Sequence, residues 1–232
     1  MSDNFFQNAT LRSILLGAYR SYARTQFWRT GPRIFVNSIP KAGTHLVAAI
    51  LEEIPGVMLS RVHLDAWDID ANGLRNRPLR EFAVDTKKFT RALSTIRGGQ
   101  VVTGHLPWRR EVVDILHANS FKVFFVQRRE EDIVNSRFHY IKGLRRHFLH
   151  DRFMNEYSTD HDRRQALVDG IPWRDGNPGT DPLPEYSGQY EGWKTAEDVG
   201  QIHFEDLVDG GVLQDALGVA QRTHDQAGIE LG

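Results

Sequence analysis

Apolar and polar positions along this 232-residue chain switch repeatedly between a two-residue and a three-to-four-residue period. Arg33-Ile34-Phe35-Val36-Asn37-Ser38 is a short β-rich run. It gives way at Pro40-Lys41-Ala42-Gly43-Thr44 to Leu46, Val47, Ile50, Leu51 and Ile54 at helical spacing. That pattern predicts a strand, a glycine-containing turn and a helix. Val57 to Leu64 predicts a second strand, and Thr86 to Ile96 a helix with a turn-rich start. Gln100-Val101-Val102-Thr103-Gly104 predicts a buried strand that ends at His105, because Pro107 cannot continue a ladder. Lys122 to Gln127 is a continuous apolar run of the kind found in a parallel sheet covered on both faces. A helix follows from about Glu130, with Ile133, Ser136, Arg137 and Tyr140 at three- and four-residue steps. From Asn155 to Glu185 the chain is polar and rich in Gly, Pro and Asp, which predicts a long loop or lid. Gly200 to Phe204 predicts a last strand, and Glu205-Asp206-Leu207 opens a terminal helical stretch. There is no internal repeat and no low-complexity block.

Strands that alternate with helices imply an α/β fold with a mostly parallel sheet, whose ligands sit beyond the carboxyl ends of the strands. The length suits one such domain, residues 31–232, with one long insertion, preceded by a helical segment over residues 1–30. In that segment Leu11, Ile14, Leu15 and Tyr19, with Arg12, Arg20 and Arg24 nearby, allow a basic amphipathic helix on an anionic membrane. A helix docked on the core is the favoured expectation.

Charge narrows the function classes. Lys plus Arg number 29 against 30 for Asp plus Glu, a formal charge of -1, which gives no sign of bulk nucleic-acid binding and makes any anion site local. With no cysteine, thiol catalysis, disulfides and thiolate metal sites are excluded, as suits a reducing cytoplasm. No run approaches the roughly 20 apolar residues of a membrane span, and Met1 to Ala9 lacks signal-peptide form, so a soluble protein with no transmembrane segment is expected.

Three polar segments fall at predicted strand ends. Ser38-Ile39-Pro40-Lys41-Ala42-Gly43-Thr44-His45 combines backbone N–H groups of a strand-to-helix turn with a helix N-terminus and the charge of Lys41, a site for a phosphate-like group. Its order, Lys-Ala-Gly-Thr, is not the Gly-Lys-Ser/Thr of nucleotide P-loops; a plain alternative is a surface Lys beside a helix cap at Thr44. Arg128 follows the clearest strand directly, and Ser136 lies eight residues later. A bidentate guanidinium and a hydroxyl donor suit a terminal phosphate. Arg129, Arg137 and Lys142 nearby are expected mostly to solvate the helix. His105 closes the central strand, where a neutral imidazole could accept a proton from an attacking hydroxyl. A lone histidine is more often a structural residue, and among ten only the strand-end position favours this one.

Together these segments resemble the cytosolic-type sulfotransferases that use 3′-phosphoadenosine-5′-phosphosulfate. Pro40-Lys41-Ala42-Gly43-Thr44 is similar to their 5′-phosphosulfate loop, Arg128 through Ser136 to their 3′-phosphate segment, and His105-Leu106-Pro107 to the stretch that holds their catalytic histidine. Phe204-Glu205-Asp206-Leu207 resembles a late aromatic-Glu-Asp-Leu segment. Trp193 and Tyr186 fall, in loose register, where the family places a tryptophan and an adenine-contacting tyrosine. The resemblance runs from about Arg33 to Leu207. It implies a three-layer, P-loop-like α/β fold and a PAPS-dependent transferase acting on a hydroxyl or amine of a small-molecule or glycan acceptor. It further implies no metal, His105 and Lys41 as catalytic groups, and a donor site of Lys41, Ala42, Gly43, Thr44, His45, Arg128, Ser136 and Tyr186. The departures are Thr103-Gly104 where the family often has Lys-Thr, and His45 where a second Thr is common. No counterpart of the family's Arg-Lys-Gly loop precedes Gly232, which leaves a truncated domain or a variant donor site. The other classes are a P-loop nucleotide kinase or NTPase, and a non-catalytic or truncated nucleotide-binding relative.

Overall fold

The computed structural model describes residues 9–73, 78–174 and 178–209. Its elements are α1 (Ala9–Thr30), β1 (Arg33–Ser38), α2 (Thr44–Glu52), β2 (Met58–Asp65), α3 (Thr86–Ser94), β3 (Gln100–His105), α4 (Arg110–Ala118), β4 (Phe121–Gln127), α5 (Glu130–Gly143), α6 (His150–Asn155), α7 (Asp160–Asp169), α8 (Leu183–Gly188), α9 (Glu191–Thr195), β5 (Gly200–His203) and α10 (Phe204–Asp209). The strands form one sheet in the order β2-β3-β1-β4-β5, and every neighbouring pair is parallel. The α/β fold with a parallel central sheet is therefore as the alternating pattern implies.

Period-two alternation decides which residues fill which layer. Ile34 and Val36 of β1, Val101 of β3 and Val126 of β4 meet Val47 and Ala48 of α2 on one face. Phe35, Val102, Val123 and Phe125 meet Phe89, Leu93, Val112, Val113 and Leu116 of α3 and α4 on the other. Helix α4 lies where no element is predicted, although Val112, Val113 and Leu116 have helical spacing. Helix α3 starts at Asp85, whose carboxylate accepts from the backbone N–H groups of Lys87 and Lys88 at 3.1 and 3.0 Å.

Two expectations need correction. The Asn155–Glu185 segment is not a lid. It holds α7, a bridge between Ile171 and Thr180, and the start of α8, and it shares a core of Val134, Phe138, Phe153, Leu167 and Ile171 with α5 and α6. Part of its polar look comes from Arg163, an internal strut, and Arg152 of α6 braces it from outside. Arg152 donates to the carbonyls of Pro172 and Pro178 at 2.8 and 2.7 Å, and Arg163 donates to the Phe153 carbonyl at 3.1 Å while pairing with Asp160. Each guanidinium satisfies carbonyls that a loop would otherwise leave to water.

The second correction concerns α1, which is not laid along the core. Of its described side chains only Ala23 is buried, and the half-buried Phe27 packs against Gly56 and Gly99. No helix among the described residues is long and apolar enough to cross a membrane. Residues 210–232, where the end of the predicted terminal helical stretch falls, lie outside the described residues.

Candidate functional site

Strand β1 occupies the middle of the sheet. Its chain leaves toward β2 at one edge, whereas those of its neighbours β3 and β4 leave in the opposite direction, so the connections change sense at its carboxyl end. Ser38, His105 and Gln127 end three adjacent strands there, and Asp65 ends β2 opposite His105.

The turn after β1 is held open by its own backbone. Lys41 has φ 75° and Gly43 φ 105°, both left-handed. A Cβ on Gly43 would lie 2.4 Å from the Phe204 ring, so only glycine fits between the loop and α10. Thr44 does not cap α2. It is the first helical residue, buried, and its hydroxyl hydrogen-bonds Ser38 Oγ, which itself donates to the Ile39 carbonyl at 2.8 Å. The N–H groups of the first turn of α2 have no partner within the helix and point past this loop.

Two cations meet at the turn. Arg128 Nη1 donates to the Lys41 carbonyl at 3.0 Å, and its guanidinium lies 4.3 Å from the centre of the Phe204 ring. Lys41 Nζ sits 4.1 Å over the ring of Tyr140. Burial, and then the charge of Arg128, hold the Lys41 ammonium below the usual lysine range. Among the described residues neither cation has a carboxylate in ion-pair reach, and Arg128 Nε is buried without a partner. The neighbouring Arg129 is different: it is exposed and pairs with Asp132 and Glu205.

Beside the cations lies a run of three imidazoles. His105 Nδ1 is 3.0 Å from the Ser38 carbonyl, which can only accept, so Nδ1 carries the proton and Nε2 the free lone pair. Burial, and then the nearby His63, lower its pKa to about 4, so the ring is neutral at physiological pH. His63 stands 4.7 Å edge-on to His105 and joins Thr103 Oγ1 at 2.8 Å through Nδ1, with Nε2 3.6 Å from Asp65. His45 stacks on His63 at 5.9 Å; partial burial, His63 and Lys41 lower its pKa as well.

The site is braced from behind. Asn37 exchanges two 2.8 Å hydrogen bonds with the backbone of Leu106, and Trp193 Nε1 donates to the same carbonyl at 2.8 Å. A Cβ on Gly104 would lie 2.9 Å from the Leu64 carbonyl and from the Phe35 ring, which accounts for the glycine before His105.

Lys41, Gly43, Thr44, His45, His105 and Arg128 thus come together at one sheet edge, and Ala42 is buried beneath the loop. Ser136 is half-buried, two turns into α5. Tyr186 is the exception: it is buried in the core, Arg137 lies 4.5 Å over its ring and Tyr190 packs at 5.9 Å. Trp193, likewise fully buried, is a structural bolt. Sequence reasoning passed over His63 and Asp65, whose alternation at the end of β2 was the available signal, and gave no role to Phe204, Tyr140 or Asn37.

No family model matches the sequence, and no curated protein does. Among solved structures the chain is similar to mouse sulfotransferase SULT7A1 complexed with PAP, at 19% identity and a TM-score of 0.46. The match covers 94% of this chain and 64% of that one, so the chain spans somewhat less than two thirds of that neighbour's length.

Proposed function

We propose that this chain is an enzyme that transfers a sulfuryl group from 3′-phosphoadenosine-5′-phosphosulfate to a hydroxyl or amine of a small-molecule or glycan acceptor. One observation carries the reading: two carboxylate-free cations, Lys41 and Arg128, flank a strained glycine turn directly beside a neutral histidine of fixed tautomer. The first group suits an anionic donor and the second suits proton removal. The residues fit such a donor, since Arg128 Nε is buried without a partner and the first-turn N–H groups of a helix have no acceptor within it.

In this reading the backbone of Lys41, Ala42, Gly43 and Thr44 holds the 5′-phosphosulfate, with His45 at its rim, while Arg128 and Ser136 hold the 3′-phosphate. His105 Nε2 takes the acceptor proton as the acceptor oxygen or nitrogen bonds to sulfur. The bond from sulfur to the bridging oxygen breaks, its electron pair stays on that oxygen, and 3′-phosphoadenosine-5′-phosphate leaves. Lys41 meets the charge that grows on the bridging oxygen, the point where electrostatic stabilisation is largest. His63, held between Thr103 and Asp65, sets the potential at His105. The cations already present give the chemistry no need of a metal, and the cysteine-free sequence suits a reducing cytoplasm.

Calorimetry tests the proposal. 3′-phosphoadenosine-5′-phosphate should bind in the presence of EDTA and more tightly than ADP. Binding of ATP only with Mg²⁺, and none of the 3′-phosphorylated nucleotide, would identify a kinase or NTPase site instead.

A further inference from the structure

Helix α1 extends beyond what a helix that merely covers a core needs. Its contacts run along Ala23 and Phe27, and Arg20 on the same side reaches Glu53 at 3.2 Å. Ile14, Leu15, Ala18, Tyr19 and Tyr22, at helical spacing i, i+1, i+4, i+5 and i+8, form a stripe that adjoins Ala23, one turn after Tyr19, and every described side chain ahead of Ala23 is exposed. Of the eleven exposed large hydrophobic side chains among the described residues, six are on this helix: Ile14, Leu15, Leu16, Tyr19, Tyr22 and Trp28. A surface helix ordinarily turns its apolar stripe inward. Here the stripe runs on past the domain and meets solvent over roughly 15 Å of helix ahead of Ala23, at about 1.5 Å per residue.

Charge tells what covers that face. The helix sequence holds four arginines and no Asp or Glu. A second copy packed on it would bring arginines against arginines, whereas an anionic surface would meet them with opposite charge. Where the helix ends, an open cleft of about 400 Å³ lies below the amino ends of the strands, on the far side of the sheet from His105. Among the described residues Arg29, Arg33 and Arg97 line it with Trp28, Asn119 and Ser120, and no acidic residue does. Trp28 is half-exposed and Arg97 lies 4.3 Å over its ring. Arginines around an amphipathic aromatic ring suit a phosphodiester headgroup at the level where tryptophan prefers to sit.

We infer that α1 and this arginine cleft form a peripheral docking surface for an anionic phospholipid membrane. Ile14, Leu15, Tyr19 and Tyr22 enter the headgroup layer, and Arg29, Arg33 and Arg97 gather lipid phosphates. The attachment uses the amino-end side of the sheet and so leaves the carboxyl-end site open to solution. It is independent of the reaction proposed above.

The test is co-sedimentation of the full chain with vesicles of phosphatidylcholine alone and of phosphatidylcholine mixed with phosphatidylglycerol. The protein should pellet with the mixed vesicles only, and raised salt should release it. Leu15→Asp combined with Tyr19→Asp should lower the bound fraction about tenfold. Arg29→Gln and Arg97→Gln should each weaken binding about fivefold. Both leucine and tyrosine are solvent-exposed, and an unchanged far-ultraviolet dichroism spectrum certifies the variant's fold. Protein left in the supernatant with mixed vesicles overturns the inference, as does equal binding to both compositions or binding untouched by the substitutions. A dimer in light scattering that Tyr19→Asp splits into monomers would assign the face to a second copy and overturn it too.

Discussion

The two halves of the carboxyl edge are built by opposite electrostatic rules. On the β1–β4 side, Lys41 and Arg128 stand together with no carboxylate among the described residues to neutralise them, and each is backed by an aromatic ring, Tyr140 or Phe204. On the β2–β3 side, His63 stands edge-on to His105, and burial and then His63 lower the His105 pKa to about 4, with Asp65 beside them. Permanent charge is concentrated in one half and removable charge in the other. The lesson is that a group transfer needs both and that they must not share a residue, since a base next to the donor's anionic charge would be held protonated.

This division is broken most severely by removing the base. His105→Ala should reduce kcat by about 10²–10⁴, the usual loss for a positioned acid or base, with the fold retained. Turnover should be followed as transfer from radiolabelled donor to a panel of phenols and alcohols. If the His45→Ala variant is dead and His105→Ala near normal, the proton goes to the wrong half and the division fails. Lys41→Met comes next: a lost transition-state electrostatic contact should cost about 10²–10³ in kcat with a smaller change in donor Kd. A loss confined to affinity would make Lys41 a ground-state binding residue.

Arg128→Ala sharpens the other half. It should weaken 3′-phosphoadenosine-5′-phosphate by about 1.5–3 kcal/mol and leave adenosine-5′-phosphosulfate, which lacks the 3′-phosphate, little changed. Equal losses for the two would take Arg128 off the 3′-phosphate, and its brace on the Lys41 carbonyl would be the explanation. The smallest expected effect is on pH dependence. With His105 depressed to about 4 by burial, the ring is unprotonated well below neutrality, so kcat/KM should stay flat from pH 8.5 to about 5.5 and fall only on further acidification. The sequence alone gave no reason to expect a shift and would have put that limb near the unperturbed histidine value. His63 lowers the His105 pKa and Asp65 raises it. The acid limb should therefore move up in pH in His63→Asn and down in Asp65→Asn; movement in the same direction for both would refute this coupling.

How much was legible depended on whether the signal was local. The turn at Lys41–Thr44, Arg128 directly after β4 and His105 at the end of β3 each announce themselves within a few residues, because a strand end and its polar terminus are contiguous in sequence. His63 and Asp65 do not. They reach His105 through the parallel pairing of β2 with β3, past a register shift between Leu59 and His63 that no local pattern encodes. Phe204 reaches Gly43 and Arg128 only through the pairing of β5 with β4. The helices α6 and α7 were hidden for another reason: Arg152 and Arg163 are buried as struts, and a buried arginine reads as surface in any hydropathy pattern. Tyr186, expected at the donor from a loose register, is buried with Arg137 over its ring, a packing that no local pattern encodes.

The central claim, that donor binding and proton removal reside in separate halves of one edge, is tested most directly by titrating 3′-phosphoadenosine-5′-phosphate into the wild-type chain, His105→Ala and Arg128→Ala, without metal, in one calorimetric series. The account predicts that His105→Ala binds within about twofold of wild type, on the scale of a substitution away from the ligand, while Arg128→Ala binds at least about tenfold more weakly. A His105 variant that loses the nucleotide as completely as the Arg128 variant would contradict it.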